Sequence, residues 1–167
     1  MIMVPPSPTH RLDLEAGPSD AGQAIAVMHR AFEQFSATGK PSGALLETAA
    51  SLREEMASGT RLGLMRLDGA AVASVKHHPA ADGTLYFSRL AVDPAQRGRG
   101  LAGLLVRALR KRALTEGLSG LSCAVRAEEE TNIAIYEHLG MEVVAHETRG
   151  SLTGAVIDVV LIRDRMA

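Results

Sequence analysis

A glycine-rich segment with interspersed arginines, QRGRGLAGLL (residues 96–105), has the residue types that bind an anion. Glycine carries no side chain, so it permits positive φ and lets a ligand approach the backbone closely. Apolar residues then recur at helical spacing, so the segment is predicted to lead into a helix. Free N–H groups and the positive end of the helix dipole bind phosphate oxygens, and arginines add charged donors. The sequence therefore predicts a phosphate-binding loop here.

Gly98, Gly100 and Gly103 also match the G-x-G-x-x-G spacing of dinucleotide-binding folds, but the surrounding sequence argues against that interpretation. Five residues, DPAQR, separate the preceding strand from Gly98, whereas the fingerprint normally starts directly at the strand end. The next predicted strand ends at Val125-Arg126, without the acidic residue that would bind a ribose. The strands before the loop are predicted to form hairpins. A nucleotide-dependent oxidoreductase remains an alternative that rests on glycine spacing alone.

Hydrophobic periodicity and turn residues predict the element order β-α-α-β-β-β-α-β-α-β-β. This order indicates an α/β (mixed α+β) fold with a sheet of about seven strands and about four helices. Asp68-Gly69 between two alternating segments predicts a two-residue hairpin. The first helix is predicted to reach Phe35, the second to span residues 44–58, and the sixth strand to span 141–146. Early prolines predict a flexible segment at residues 1–9, followed by a single domain at residues 10–167.

Composition limits the possible partners. The formal net charge of −1 provides no field that would attract nucleic acid or an anionic membrane. Two tyrosines, three phenylalanines and no tryptophan are too few for base stacking. No apolar run approaches the roughly 20 residues that a membrane-spanning helix needs. The single cysteine, Cys123, favours a reducing compartment and hence the cytoplasm. No metal site is predicted.

Two segments resemble motifs of the GNAT family of acetyl-CoA-dependent N-acetyltransferases. LAVDPAQRGRGLAGLL (residues 90–105) is similar to the acetyl-CoA-binding motif Q/R-x-x-G-x-G/A, with Arg97, Gly100 and Ala102 at the defined positions. NIAIYEHLGM (residues 132–141) is similar to the family's N…YE-x-LGF segment. The predicted order of elements resembles the family's as well. The resemblance therefore covers nearly the whole chain and implies the GNAT fold.

The resemblance also implies how acetyl-CoA binds. Its pantetheine arm would pair with the strand before the loop, since two diverging parallel strands leave backbone groups unpaired. The loop amides would cradle the pyrophosphate, Asn132 would face the cofactor, and Tyr136 would stand near the sulfur as general acid. The implied cofactor-binding residues are Leu90, Ala91, Val92, Arg97, Gly98, Arg99, Gly100, Leu101, Ala102, Gly103 and Asn132. Asn132 could instead cap a helix, and Tyr136 could simply pack in the core.

The implied reaction is acetyl transfer to a primary amine of a small molecule or an amino terminus, by direct attack of the amine on the thioester. The general base is left open, because the strand TLYFSRLAV (residues 84–92) lacks the glutamate of many relatives. Glu47, His77, His78 or water are the candidates. A non-catalytic CoA-binding regulatory domain is therefore a further alternative. A homodimer is possible, since dimers are common among relatives.

Overall fold

The computed structural model describes residues 10–33, 43–150, 154 and 156–165. Within these ranges the chain forms seven strands and four α-helices. In chain order they are β1 (His10–Asp13), α1 (Ala21–Phe32), α2 (Ala49–Ala57), β2 (Arg61–Leu67), β3 (Ala70–Pro79), β4 (Leu85–Val92), α3 (Leu101–Thr115), β5 (Leu121–Arg126), α4 (Glu130–His138), β6 (Met141–Gly150) and β7 (Val156–Asp164). Residues 1–9 and Phe35 lie outside the described ranges. None of the described helices combines the length and the apolar character that crossing a membrane requires.

The seven strands form one mixed sheet in the order β1-β2-β3-β4-β5-β7-β6. Strands β4 and β5 pair in parallel, and the other neighbours pair antiparallel. Asp68 and Gly69 join β2 to β3 with φ angles of 49° and 87°, as a type I′ hairpin turn requires. The predicted mixed sheet and number of helices are confirmed. A doubly wound parallel sheet is excluded by this topology.

Two predicted boundaries are wrong. Residues Gly43–Leu46 form a short 3-10 turn, and α2 begins only at Ala49. Its start is fixed by a capping box in which Thr48 Oγ1 accepts from the Ser51 amide (3.1 Å) and Ser51 Oγ accepts from the Thr48 amide (2.9 Å). The apolar spacing continues across both pieces, so periodicity alone did not separate them.

The sixth strand is longer than predicted, because β7 offers it a partner along its whole length. The ladder continues past His146 through Glu147 opposite Val159 to Gly150 opposite Val156. Residues 146–150 are polar apart from the glycine, so they carry little hydrophobic pattern of their own. Their extended conformation therefore depends on pairing with a distant segment.

The sheet separates two apolar cores. The core on the α3/α4 face contains Leu85, Phe87, Leu101, Leu105, Leu109, Cys123, Tyr136 and Met141. The core on the α1/α2 face contains Ala24, Met28, Leu52, Leu62, Leu64 and Ala91. Each pair of helices thus anchors to one side of the same sheet, which gives the strands between them a fixed position.

A bulge in β4 and an early end to its pairing with β5 open the middle of the sheet. Ser74 pairs with Ala91 and Lys76 with Ser88, so that Val75 alone opposes two residues of β4. One of these, Arg89, has a φ of 52°, and such bulges bend a strand. The parallel ladder to β5 contains only Leu85 opposite Leu121 and Tyr86 opposite Ser122. Beyond these pairs the two strands diverge.

Candidate functional site

A cavity of about 400 Å³ occupies the gap between β4 and β5. Its described lining comprises Phe32, Gly43, Lys76, Tyr86, Phe87, Ser88, Arg89, Leu90, Cys123, Ala124, Val125, Arg126, Glu129, Asn132, Tyr136, Arg149, Gly150, Ile157 and Val159. Members of the α3/α4 core and side chains from the α1/α2 face both belong to this lining. The cavity therefore crosses the sheet and connects its two faces.

The diverging strands give this cavity a backbone wall on each side. Past Tyr86 and Ser122, the inner edges of β4 and β5 have no ladder hydrogen bonds to each other. Each edge presents N–H and C=O groups that can accept an added extended chain containing amides. Leu90, predicted to contact the pantetheine arm, lines the cavity, while Ala91 is buried in the α1/α2 core and Val92 pairs with Ala73.

The glycine-rich loop leads directly into α3, as predicted. Gly98 and Gly100 have φ angles of 82° and 75°, and Gly100 is the N-cap residue of the helix. A Cβ atom built at either glycine meets no neighbouring atom within 4 Å, so the space beside the loop is open to a ligand. The first amides of α3 and its positive dipole end face the same region, which suits a pyrophosphate.

The side chains of the glycine-rich loop differ in their exposure and in their contacts. Arg99 is exposed, whereas Arg97 donates from Nη2 to the carbonyl oxygen of Ala31 (3.1 Å) and so ties the loop to α1. Leu101 is buried beneath the loop and anchors the helix start. Ala102 and Gly103 follow within the first turn of α3, and the glycine lies close to the Arg107 guanidinium.

Tyr136 lies on α4 at the apolar side of the cavity. The residue is 8% exposed, and its ring packs edge-on against Phe87 with 5.7 Å between ring centroids. Burial, and secondarily the nearby Cys123, raises the pKa of the phenol well above its usual range. Tyr136 therefore keeps its proton at physiological pH while lining the cavity. Tyr136 thus packs in the apolar core and also borders the cavity.

Cys123 lies on β5 beside this tyrosine and also lines the cavity. Burial raises the pKa of its thiol to about 12, with a smaller contribution from Asp164. A thiol with this pKa is not a nucleophile at neutral pH. Cys123 therefore packs in the α3/α4 core and borders the cavity at the same time.

Asn132 lies within the first turn of α4 and lines the cavity. The N-cap position of this helix belongs to Glu129, so the alternative role of Asn132 as a cap is not what the structure shows. Since Asn132 is exposed at the cavity wall, its amide is available to a ligand.

A charged cluster lies on the α1/α2 face of the gap. Lys76 on β3 donates to Glu47 and to Glu55 Oε2 (2.9 Å), and Arg89 Nε on β4 donates to the second Glu47 oxygen, Oε2 (2.8 Å). The Lys76 and Glu47 side chains are only 9% and 11% exposed. Both oxygens of Glu47 are thus hydrogen-bonded to cationic side chains.

His77 and His78, the two histidines considered as general bases, lie outside the described cavity lining. His77 is fully buried and its Nε2 donates to the carbonyl oxygen of Leu14 (2.7 Å). Burial lowers its pKa. His78 is exposed and packs against Tyr86 with 5.4 Å between ring centroids. Neither histidine belongs to the described cavity lining.

Sequence reasoning missed several residues that the fold brings to the cavity. The sequence contained one indication of the role of Lys76. It follows the mostly apolar strand segment AAVASV (residues 70–75), and a lysine in such a strand is expected to be buried and paired with an acid. Arg149 and Gly150 carried none, because the segment HETRG (residues 146–150) has neither a hydrophobic pattern nor a motif. Arg149 reaches the cavity only through the extension of β6, where it contacts Glu147 (3.0 Å) and Tyr86.

The described residues contain no cluster of side chains able to hold a metal ion. The features that do converge are a gap between parallel strands, a glycine-lined helix start and a protonated tyrosine between them. A ligand with a pyrophosphate, an amide-containing arm and a reactive end fits this series, since each part meets a matching surface.

Comparison with known proteins gives the family. A sequence model of the acetyltransferase (GNAT) family matches residues 26–141, and the chain belongs to this family. Its co-substrate is acetyl-CoA. A comparison with curated protein sequences gives no significant match.

Solved structures share the fold at low sequence identity. A GNAT acetyltransferase from Streptococcus pneumoniae superposes with a TM-score of 0.73 at 19% identity, covering 93% of this chain and 98% of the other. A ribosomal-protein-alanine N-acetyltransferase from Escherichia coli gives a TM-score of 0.73 at 20% identity, covering 95% and 96%. A structure from Salmonella typhimurium that contains acetyl-CoA as its cofactor gives a TM-score of 0.66 at 16% identity, covering 92% of each chain.

Proposed function

We propose that this protein transfers the acetyl group of acetyl-CoA to a primary amine of a small molecule or an amino terminus, by direct attack of the amine on the thioester. The observation that carries the proposal is the cavity through the sheet, which joins Tyr136 on one face to an open, charged surface on the other. A donor bound from the α3 side and an acceptor arriving from the α1/α2 side would meet in this gap. Such placement supplies most of what acyl transfer requires.

Several residues fit the acetyl-CoA molecule. Acetyl-CoA supplies the activated acetyl group as a thioester. The backbone of Leu90, Ala91 and Val92 would bind its pantetheine arm, while Asn132 borders the same cavity. The loop from Arg97 through Gly98, Arg99, Gly100, Leu101 and Ala102 to Gly103 would bind the pyrophosphate, supported by the open space and the helix start.

Tyr136 is proposed as the general acid. Its burial keeps the phenolic hydroxyl protonated, and this hydroxyl would donate its proton to the departing sulfur atom. Nearby apolar side chains, among them Phe87, exclude water from the same place and strengthen the donated hydrogen bond.

The acceptor amine is proposed to lose its proton to water. Glu47 is engaged by Lys76 and Arg89, and His77 is turned to Leu14 on the other face. Hydrogen bonds from these two cations occupy both carboxylate oxygens of Glu47, and Glu47 lies outside the described cavity lining. Solvent at the open α1/α2 side of the cavity can accept the proton instead.

We further infer that the acetyltransferase domain comprises residues 10–167. The family match ends at residue 141, but β1, β6 and β7 complete the same sheet beyond its limits. The unpaired Cys123 supports a reducing compartment and hence a cytoplasmic reaction.

Calorimetric titration with acetyl-CoA, CoA and NAD tests the binding part of the proposal. We expect acetyl-CoA and CoA to bind and NAD to give no heat. Release of free thiol is then measured across a panel of amines. Binding of CoA without amine-dependent release would favour the alternative of a regulatory CoA-binding domain, and binding of NAD would favour the oxidoreductase alternative.

A further inference from the structure

The half of the cavity on the α1/α2 face contains several cations among neutral residues. Lys76, Arg89 and Arg149 belong to the described lining on this side, and none of the carboxylates that contact them does. Glu129 is the single acid in the described lining, and it lies beside α4 on the opposite side. The carboxylates of Glu47 and its neighbours therefore stand behind the cations, and the cluster presents its positive side to the acceptor.

Arg89 is held in place for this role by both backbone and side chain. Its φ of 52° at the bulge turns the residue out of the regular ladder. Its Nε donates to Glu47, which Lys76 fixes from the other side. Within the described ranges, the two terminal amino groups of Arg89 have no hydrogen-bond acceptor. The side chain remains 34% exposed, so these groups are accessible from the cavity.

A guanidinium held by its Nε leaves a planar pair of donors that matches the two oxygens of a carboxylate or another oxyanion. A polyamine at the same place would meet like charge, which costs binding energy and slows association. We propose that the acceptor is an amine that also carries an oxyanion, in the simplest case an amino acid, and that Arg89 binds this oxyanion. This proposal rests on the acetyltransferase function proposed above.

Matched acceptors test the proposal. Thiol release is measured with α-amino acids, their carboxamides and the corresponding decarboxylated amines, with an aminoalkylphosphonate and spermidine as further arms. Rates are expressed per neutral amine, so that different amine pKa values do not distort the comparison. We expect the acids to be preferred through a lower KM. The phosphonate arm distinguishes a tetrahedral oxyanion from a planar carboxylate.

Substitution of Arg89 links the preference to this residue. Arg89→Gln should raise KM for the acid about 10- to 100-fold and leave KM for the carboxamide nearly unchanged. Arg163→Gln is the matched control, because the Arg163 side chain is 41% exposed and pairs with Asp82 away from the cavity. Arg89→Lys keeps the positive charge but removes the planar pair of donors, so the preference for acids over carboxamides should decrease in part. This variant also tests the proposal if Arg89→Gln fails to fold.

The outcomes separate the two proposals. Preference for carboxamides, decarboxylated amines or spermidine over acids would overturn the inference while leaving the acetyltransferase function intact. An acid preference that persists in Arg89→Gln would overturn the assignment of Arg89. Absence of thiol release with every amine, despite CoA binding, would overturn the proposed function itself and this inference with it.

Discussion

The two faces of the sheet meet in one cavity but differ sharply in chemistry. On the α3/α4 face, Tyr136 and Cys123 lie among apolar side chains, and burial raises the pKa of both. On the α1/α2 face, Lys76, Glu47 and Arg89 form a half-buried charged cluster. Burial keeps the first pair protonated and neutral. The second group is joined by ion pairs between Glu47 and the two cations. The gap between β4 and β5 thus has a protonated phenol on one side and a cluster of ion pairs on the other.

This difference indicates that the two faces of the sheet have different roles, proton donation on one and acceptor recognition on the other. A buried phenol is suited to proton donation, since it stays protonated and its hydrogen bond is not weakened by water. Fixed cations are suited to recognition, since they select partners by charge and geometry. Damage to the apolar face should therefore affect the chemical step, and damage to the charged face should affect stability and acceptor binding.

The largest effect is expected at Tyr136. Tyr136→Phe keeps the ring contact with Phe87 but removes the donor, so kcat should fall about 10²- to 10⁴-fold. Affinity for acetyl-CoA and thermal stability should change little. Tyr86→Phe removes the other phenol of the cavity, on the charged face, and should reduce kcat much less. Wild-type kcat in Tyr136→Phe would disprove the acid role, and joint loss of affinity and stability would make the residue structural.

Lys76 tests the charged face. Lys76→Met leaves Glu47 and Glu55 without their shared cation, so the free energy of unfolding should fall by about 3 kcal/mol. Lys111→Met at an exposed site on α3 is the control and should change it by less than about 0.5 kcal/mol. Urea denaturation measures both. Equal effects of the two substitutions would show that the cluster behaves as ordinary solvated surface charge.

Gly100 tests whether the α3 side binds the pyrophosphate. Gly100→Val places a branched side chain at a φ of 75° in the space beside the loop, so CoA should bind about 30-fold more weakly, or about 2 kcal/mol. Gly117→Val is a matched control with the same φ of 75° at the other end of α3. Both variants should lose similar stability from backbone strain. Unchanged CoA affinity in folded Gly100→Val would contradict the pyrophosphate site.

The smallest effect is expected at His77, a buried residue that lies outside the described cavity lining. Burial lowers its pKa from 6.5, so below pH 6.5 the unfolded chain binds a proton that the folded chain does not. Its stabilising contribution is therefore complete above pH 6.5. It decreases as the pH falls towards the lowered pKa, by at most about 1.4 kcal/mol per pH unit.

Urea denaturation between pH 5 and 8 measures this dependence. His77→Gln should flatten the acid side of the stability profile, while His78→Gln, at an exposed position, should leave its slope unchanged. Identical slopes in His77→Gln and the unmodified protein would show that the imidazole is not the group responsible. At neutral pH, kcat should be retained in His77→Gln, because His77 lies outside the cavity lining.

Local sequence determined most of the elements and the conformation of the glycine-rich loop. Asp68-Gly69 makes its turn through its own φ preferences, and Gly98 and Gly100 adopt positive φ beside a helix start, as their residue types predict. The predicted order likewise places a helix between the fifth and sixth strands, where α4 carries Tyr136. These features depend on neighbours within a few residues, so periodicity and turn chemistry suffice to predict them.

Only the tertiary structure decided the gap and the charged cluster. Lys76 lies 29 positions after Glu47 in the chain, and Arg89 lies 42 positions after it. Nothing in the local sequences around these residues predicts that they form ion pairs. The divergence of β4 from β5 follows from a bulge between β3 and β4, and Arg149 reaches the cavity because β7 extends β6. Strand pairing joins residues that are distant in the chain, so its register and its end depend on the packing of the whole sheet rather than on any one segment.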